Sequence, residues 1–553
     1  TTGVVTATVT ADTASNLNTT LSNATSSDAL TLVITNDITD TKASDLIALD
    51  NKTSITVNAI AVTAVIGTAI QVSALASADI TMAEDYNAKL TEISAASDVN
   101  TVAADTTGVV TATVAADTAS NLNTNLSSIT NTDIITLTVN GSVANATDLI
   151  SLDSKTSVDI TIDASTVSGT LSDIQKIYIN NKDNYISLGD ENITVEDVQT
   201  ASDINSILDK TTGVVTATVT ADTASNLNAN LSNATQFDAL SLTVNGTSAT
   251  ANDLLDLNDK TSVDIQVDAT SIIGNLEDVN TVYGEDGFSN LTSKTVDLSS
   301  SGDFEMIDFS NIDNGEIDSL NFANNDDSVS FSDKSSFDSW ADKFKNIDFG
   351  SSSQDSISFD DAVNADLDFS KISNLENLNL SNENDNITLS KDEPENINGN
   401  GGNDTFALDF SNIGNFNLDG GANSDEVNVT GSASNLTQDG SDFGTVTDAN
   451  FTNIESLNLS NLDFSGFGDE FEFEFTDSLL TDWLSGSGTT NFTLKLNSSD
   501  AEHIKFTGEN TNLNDGNKVY DGQGTGDSGN IISDGSTYDL GDTTLTIDFI
   551  DVP

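Results

Sequence analysis

The segment Thr1–Asn18 reads TTGVVTATVTADTASNLN; it recurs unchanged at Thr211–Asn228 and, with Ala115 as its one difference, at Thr106–Asn123. The period is therefore 105 residues. Self-similarity at a fixed period is typical of tandem units that stack on their neighbours, because a single unit cannot bury its apolar face alone. The repeat therefore predicts an extended array rather than one compact core.

Within the repeat, two hydrophobic periods alternate. Apolar residues at every second position of Val5–Ala11 predict a half-buried strand, with threonines on its solvent face. A helical period follows, which predicts βα repeats with parallel strands, a solenoid-like fold. The predicted elements are the strand at 5–11, a helix that Asp12 or Thr13 caps, a strand at Leu30–Thr35, a helix at Ala43–Leu49 and a strand at Ser54–Ala59.

A shorter register lies inside the repeat: an Asp is followed eight residues later by a Thr that opens a strand. We interpret each 105-residue unit as a doubled half-repeat of about fifty residues. The pairs are Asp45 and Thr53, Asp98 and Thr106, Asp148 and Thr156, Asp203 and Thr211, and Asp253 and Thr261.

The composition changes at about Leu291, after which 51 of the 88 acidic residues fall. The phrase Asp-x-apolar-x-apolar then follows successive polar turns and predicts a mainly β region, a parallel β-solenoid. The Asp positions are Asp327, Asp355, Asp385, Asp404, Asp425 and Asp469. The predicted segments are repeats at 1–105, 106–210 and 211–290 (shortened), an Asp/Asn-rich solenoid at 291–476, and a terminal module at 477–553.

The charge balance narrows the classes of partner. There are 88 acidic residues against 17 basic ones, all of them lysine, which gives a formal net charge of -71. Without arginine, and with so acidic a field, nucleic acid is excluded as a partner. Carboxylates at this density need counter-cations, and oxygen-only sites favour Ca²⁺. Cysteine is absent, so neither disulfides nor thiolate metal sites contribute.

Two nonapeptides carry a family resemblance. Gly399–Ala407, GNGGNDTFA, and Gly420–Asn428, GGANSDEVN, resemble the Gly-Gly-x-Gly-x-Asp-x-apolar-x turns of RTX proteins, which bind calcium in parallel β-rolls. Two asparagines, Asn400 and Asn423, stand where the family has glycine. The two aspartates lie 21 residues apart, whereas the family's turns repeat every nine, so we expect isolated calcium sites.

The resemblance implies a set of calcium ligands and turn residues. The alternative is a polar turn that binds nothing. The implied ligand aspartates are Asp404 and Asp425, the turn glycines are Gly399, Gly402, Gly420 and Gly421, and the aspartates of the same phrase, Asp327, Asp355, Asp385 and Asp469, are further candidates.

Two further segments bear on location. The tail from about Asp477 to Val552 resembles the terminal modules of RTX surface proteins, which carry a signal for type I secretion.

The apolar stretch Ala59–Ala76 approaches the length of a membrane span, but its counterpart in the next repeat carries Asp159 and Asp163, so we predict a strand and no membrane insertion. Thr1 is interpreted as a processed or truncated start.

Catalytic patterns are weak. The single histidine, His503, excludes a His-metal pair, and no GxSxG elbow surrounds a serine. Glu470, Glu472 and Glu474 alternate with phenylalanines, so they share one face of a strand, which either faces solvent or holds a cation. We therefore predict a protein that is not an enzyme.

The sequence favours a secreted structural protein of a bacterial cell surface, Gram-negative in type. The leading hypothesis is a surface-layer or filament subunit that self-assembles with calcium. The second is the stalk or C-terminal part of a large RTX adhesin, and the third is a polysaccharide-active β-solenoid enzyme, a class that commonly uses arginine. Cell-surface polysaccharide is the other predicted partner.

Overall fold

The computed structural model describes residues 3–36, 38, 40–284, 286–298, 303–305, 313–324, 326–391, 393–413, 416–432, 450–464, 473–514, 516–521 and 530–550. In this part of the chain the fold is mixed α and β, with many short parallel sheets and no closed barrel. Two compact units are present: residues 1–244 with 256–266, and residues 245–255 with 267–553. The five-segment division stays a prediction.

The helices are short, and several of them begin with a side-chain cap. Thr13 accepts the N–H of Asn16 at 3.3 Å, and Thr118 and Thr223 cap the same helix in the later copies. Of the two predicted caps, the hydroxyl is therefore the one used. The α-helices are Ala14–Thr20, Ala43–Asp50, Ala69–Ser73, Ala96–Asp105, Ala119–Asn125, Ala146–Asp153, Leu171–Gln175, Ala201–Leu208, Ala224–Asn230, Ala251–Asn258, Leu276–Gly284, Lys334–Ala341 and Asp477–Trp483.

In the first unit the strands are parallel, and each pairs with the strand of the same sheet that comes next along the chain. Paired residues lie between 20 positions apart, as Ser94 and Val114, and 26 apart, as Thr166 and Asn192. A half-repeat of about fifty residues therefore holds two strand layers. The sheets are Thr6–Thr8 with Ala29–Thr31; Thr41–Lys42, Ala64–Gly67, Asn87–Ser94, Val110–Val114 and Ile134–Thr136; Val57–Ala59 with Ile80–Met82; Thr138–Val139, Ile160–Ile162 and Tyr185–Ile186; and Ala144–Asn145, Thr166–Gly169, Asn192–Val195, Val215–Thr218 and Ala239–Ser241.

The threonines of the Asp-x7-Thr register join neighbouring strand layers. Thr156 is buried; its Oγ1 accepts the N–H of Ile135 at 3.1 Å and donates to the carbonyl of the same residue at 2.8 Å. Thr53 with Leu30 and Thr261 with Leu240 repeat this geometry. The hydroxyl thus replaces a strand ladder bond at the point where each strand begins.

The apolar stretch at 59–76 is not a single helix. It contains the strand Ala64–Gly67 and the helix Ala69–Ser73, as the aspartates of its counterpart predicted. Across the described residues, no helix has the length and apolar character that a membrane crossing requires.

The second unit contains three long sheets, which we number in chain order. Three short strands, Thr243–Val244, Ile265–Val267 and Phe288–Ser289, lie outside them. The first sheet is Ser248–Thr250, Ser271–Gly274, Thr295–Leu298, Ser319–Asn321, Ile347–Asp348 and Ile372–Ser373; the second is Asp303–Glu305, Ser328–Phe331, Ser356–Phe359, Asn377–Asn379, Asn396–Asn398, Asn417–Asp419 and Asn450–Thr452; the third is Asn386–Leu389, Thr405–Asp409, Glu426–Ser432, Ser456–Asp463, Asn491–Leu496, Thr544–Phe549, Thr537–Asp539, Ile504–Asn510 and Phe473–Phe475, with Lys518–Asp521 beside Ile504–Asn510.

In these sheets the apolar residues of neighbouring strands lie in register and form buried columns. Ile387, Phe406, Val427 and Leu457 follow one another in register in the third sheet, each at most 2% exposed. Pairing is parallel except around Thr537–Asp539 and Lys518–Asp521, which pair antiparallel with Ile504–Asn510. The register fixes which polar residues, just outside the strands, come to lie together.

Replacing Thr156 with Val should destabilise the first unit by about 1–3 kcal/mol, because Val fills the space but leaves the buried N–H and carbonyl of Ile135 without a partner. Thr136 is an exposed threonine in the neighbouring strand, and Thr136→Val is the matched control, expected within about 0.5 kcal/mol of the wild type. Denaturant unfolding of the full chain measures both variants. Equal stability of the two would show that the hydroxyl is dispensable.

Candidate cation site

Four acidic residues directly precede four neighbouring strands of the third sheet. We call Asp385, Asp404, Asp425 and Glu455 the carboxylate column. Because the strands pair in register, these side chains lie one above another at the spacing of adjacent strands, about 4.8 Å. They are buried, with exposed fractions of 2%, 1%, 0% and 7% in that order.

Each carboxylate accepts a hydrogen bond from the backbone of the preceding column member. The N–H of Asp385 donates to Asp404 Oδ1 at 2.8 Å, and that of Asp404 donates to Asp425 Oδ1 at 2.7 Å. The N–H of Asp425 donates to Glu455 Oε2, also at 2.7 Å. One oxygen of each acceptor is therefore satisfied by the chain itself.

The column members differ in the hydrogen bonding of their second carboxylate oxygen. Asp385 Oδ2 accepts from both the backbone N–H and the hydroxyl of Ser381, each at 3.0 Å. By contrast, Asp404 Oδ2, Asp425 Oδ2 and Glu455 Oε1 are buried and have no hydrogen-bond partner. A buried charged oxygen without a donor or cation costs several kcal/mol. These three oxygens are therefore candidates for binding a proton or a cation.

Glycine turns bring further oxygens to two of these carboxylates. A Cβ at Gly399 would lie 2.5 Å from Asp404 Oδ2 and would collide with the carbonyl oxygen of Gly420. A Cβ at Gly420 would lie 2.8 Å from Asp425 Oδ2 and would collide with the carbonyl oxygen of Asn453. Only glycine leaves this oxygen-lined space open, and carboxylate plus carbonyl oxygens are the donor set that Ca²⁺ prefers.

The two asparagines that replace family glycines adopt the glycine-like backbone. Asn400 has φ 62° and Asn423 has φ 92°, and asparagine tolerates this left-handed region better than most residues. The 21 residues between Asp404 and Asp425 carry the chain from one strand to its neighbour, so the two carboxylates lie side by side. The expected isolated sites are therefore adjacent members of one column.

The first unit has aspartates at the equivalent position, directly before a strand, but both of their carboxylate oxygens are hydrogen-bonded within the chain. Asp28 Oδ1 accepts the N–H of Val5 at 2.8 Å, and its Oδ2 accepts the N–H and hydroxyl of Thr25 at 2.9 and 3.2 Å. Asp133 with Thr130 and Asp238 with Thr235 repeat this arrangement. These carboxylates are complete, so they offer a cation no unpaired oxygen.

The pKa values reflect both hydrogen bonding and burial. Backbone N–H bonds lower the pKa of Asp28 below its usual value. Burial raises the pKa of Asp404 and of Asp425 to about 7, and the negative charges of neighbouring column members add to the increase. Burial also raises the pKa of Asp385 and of Glu455. At neutral pH the unpaired carboxylates must therefore either hold protons or meet a cation.

The remaining predicted ligands lie elsewhere. Asp327 and Asp355 precede strands of the second sheet; there the N–H of Asp327 donates to Asp355 Oδ1 at 2.7 Å and that of Asp355 to Glu376 Oε2 at 3.3 Å. Asp355 Oδ2 is also buried without a partner, and burial raises the pKa of Asp355. Asp469 lies outside the described residues.

Glu455 is the column member that the sequence reasoning missed. The segment from Ile454 was interpreted as a strand, IESLNL, and its glutamate was not considered as a ligand. The signal was present, because Glu455-Ser-Leu-Asn-Leu repeats the Asp-x-apolar-x-apolar phrase with one more methylene in the acidic residue.

No group of three or more acidic, histidine or cysteine side chains close enough to hold one ion occurs among the described residues. Strand spacing explains this. Ca²⁺ binds oxygens at about 2.3–2.6 Å, so one ion can bridge two carboxylates about 4.8 Å apart but cannot reach a third one strand further on. An ion in the column would therefore use two carboxylates and complete its shell with carbonyl oxygens and water.

Other chemistry is sparse. His503 is 8% exposed and stacks on Phe464, with ring centroids 5.2 Å apart. In the strand Phe473–Phe475 the two phenylalanines are buried and Glu474 is exposed, which confirms the alternation there; Glu470 and Glu472 lie outside the described residues.

No protein-family model and no curated protein matches this chain. The resemblance to RTX proteins therefore stays a prediction, carried by the two nonapeptides and their geometry.

The raised pKa values predict that stability falls as pH rises in chelator. The folded pKa of Asp404 and Asp425 is about 7, above the value of about 4 expected for unfolded Asp, so between these values the folded state binds more protons than the unfolded state. The free energy of unfolding should then fall by up to about 1.4 kcal/mol per pH unit for each group. Denaturant unfolding from pH 4.5 to 7.5 measures it, and rising stability over this range would contradict the assignment.

Proposed function

We propose that this chain is a secreted structural subunit of a bacterial surface layer or extracellular filament, without enzymatic activity, built as a parallel solenoid that calcium stabilises. The observation that carries the proposal is the set of buried carboxylate oxygens in the column that have no partner and face glycine turns. At neutral pH these oxygens need a proton or a cation, and an extracellular medium supplies millimolar calcium.

The strand pairing supports the solenoid. In both units most strands pair in chain order and in parallel, about one turn of chain apart, and the strands up to Asn491–Leu496 bury their apolar residues on those of the next. The pairing after Asn491–Leu496 departs from this order. In such an array each layer contacts only its neighbours, so length can grow by adding copies of the 105-residue unit. This property suits an extended structural protein.

The non-enzymatic part of the proposal comes from the sequence, which has a single histidine and no GxSxG elbow. His503 is buried against Phe464. The column carboxylates are tied to backbone N–H groups, which holds them in place as structural groups.

Replacing Asp404 with Asn should weaken calcium binding at least tenfold at one site, because it removes the charge from an oxygen that faces the Gly399 turn. Asp133→Asn is the matched control: both oxygens of Asp133 are bonded within the chain, so this variant should lose stability and keep calcium affinity. Calorimetric calcium titration and thermal unfolding of the two full-length variants separate the effects. Wild-type affinity in Asp404→Asn would refute calcium binding at this turn.

Self-association should require millimolar calcium. Two chains of formal charge -71 repel each other, and monovalent salt only screens that repulsion beyond about 8–10 Å. One Ca²⁺ accepts six to eight oxygens and can take them from two chains, whereas Mg²⁺ demands a small octahedral shell.

Light scattering in calcium, magnesium, sodium chloride and chelator tests this expectation. Growth of particles in calcium alone is the expected result. Growth in chelator with sodium chloride would contradict calcium bridging, and a monomer in every condition would favour the adhesin stalk over the surface layer.

A further inference from the structure

Glu455 ends the carboxylate column and lies outside both nonapeptides. Its Oε2 accepts the N–H of Asp425 at 2.7 Å, while its Oε1 is buried and has no hydrogen-bond partner. The whole residue is only 7% exposed. Burial raises the pKa of Glu455 and the Ser487 side chain partly offsets the increase, but among the described residues no donor meets Oε1 at hydrogen-bond distance and angle. The buried Oε1 therefore points to a ligand from outside the chain.

Asn453 brings two more oxygens to the same end of the column. Its backbone is left-handed, with φ 52°. Its carbonyl oxygen and Asp425 Oδ2 flank the same point, the position that a Cβ on Gly420 would occupy. Its side-chain Nδ2 donates to Asp419 Oδ1 at 2.6 Å, which fixes the amide, and the amide oxygen is buried without a partner.

A glycine turn closes over this group of oxygens. A Cβ at Gly486 would lie 2.5 Å from Asn453 Oδ1, and Gly486 has φ 98°, so a larger residue is excluded both by space and by backbone conformation. The turn follows the helix Asp477–Trp483 and is tied to the strand region by the Ile454 N–H, which donates to the carbonyl of Trp483 at 2.9 Å. Small residues here keep an oxygen-lined space open.

A cleft of about 690 Å³ lies beside the column. Its lining includes Asp404, Asp425, Glu455 and Ser487. Lys495 and its ion-pair partner Glu426 also line the cleft. Because Glu426 pairs with this lysine, a hydrated cation in the cleft would not have to displace a protein cation from the column.

We propose that Asp425, Asn453 and Glu455 form a second calcium site, separate from the nonapeptide site at Asp404 and Asp425. It uses two carboxylates from adjacent strands, the carbonyl and amide oxygens of Asn453, and water from the cleft. Strand spacing requires the separation, because an ion at Asp404 cannot also reach Glu455 two strands away. The inference rests on the proposed calcium-dependent function and assigns to it a ligand set that no nonapeptide contains.

Occupation of this site would couple two parts of the second unit. The carboxylates belong to the third sheet, whereas Gly486 belongs to the turn after the helix Asp477–Trp483. An ion that binds Asn453 and Glu455 holds the segment 453–455 against that turn. Calcium should therefore stabilise the packing of the helix, including Trp483 against Phe451, whose ring centroids lie 5.1 Å apart.

Calcium titration of the full-length chain, freed of metal by chelator, tests the site with three variants. Glu455→Gln removes the charge at the proposed second site alone, and Asp404→Asn removes it at the first alone. Asp133→Asn is the control, since Asp133 lies in the first unit and both of its oxygens are bonded within the chain. We expect Glu455→Gln and Asp404→Asn each to lose one bound calcium, or to bind it at least tenfold more weakly. Asp133→Asn should retain the wild-type number of ions.

Thermal unfolding distinguishes a ligand from a structural role. In chelator, Glu455→Gln should melt at or above the wild-type temperature, because it removes an uncompensated buried charge; in calcium it should melt below the wild type. A lower melting temperature in both conditions with unchanged calcium binding would overturn the site. Asn453→Gly keeps the left-handed backbone, removes only the amide side chain, and should also weaken one calcium.

The outcomes separate this inference from the function beneath it. If the wild type binds no calcium, the proposed function and the second site both fail. If the wild type and the Asp404→Asn variant differ as expected while Glu455→Gln and Asn453→Gly bind like the wild type, only the second site is refuted.

Discussion

In-register parallel pairing is the constraint on which the rest of this structure depends. Because most strands pair in parallel with the strand one turn of chain later, any residue type that recurs at one position of these strands forms a column with a spacing of about 4.8 Å. For apolar residues this builds the core. For carboxylates it stacks like charges, which repel unless each charge meets a donor or a cation. A chain this acidic in this fold must therefore overcome the repulsion between stacked carboxylates.

The chain solves this problem in two ways. In both units one carboxylate oxygen accepts a backbone N–H from the neighbouring strand layer, as for Asp28 and Asp404. The second oxygen then depends on local sequence. A hydroxyl residue three or four positions earlier, such as Thr25 or Ser381, satisfies it within the chain. A glycine five positions earlier, as before Asp404 and Asp425, leaves an oxygen-lined space instead.

Because of this difference, the two units should respond differently to pH and to calcium concentration. The carboxylates of the first unit are complete at any pH at which they are ionised, and the lowered pKa of Asp28 expresses this. In the third sheet Asp404, Asp425 and Glu455 each have one oxygen without a partner, and the raised pKa values of Asp404 and Asp425 mean that a proton or a cation must occupy the same place. Proton and calcium then compete for the column, so acidity and calcium concentration act on one structural element.

The sequence by itself determined the local elements and the turn chemistry. Alternating apolar residues predicted a half-buried strand that is present as Val110–Val114 in the second copy, whereas in the first copy the strand is only Thr6–Thr8 and is exposed. The helical period, with Asp12 or Thr13 as the cap, predicted the first helix, and the Gly/Asn turns predicted that strands follow Asp404 and Asp425. These features are local, because periodicity and capping depend on residues a few positions apart. The tertiary structure alone decided which aspartates share a column: Asp385, Asp404 and Asp425 join Glu455, while Asp327 and Asp355 lie in another sheet. Register between strands 19 to 30 residues apart depends on how much chain each loop takes up, and no local pattern encodes that length.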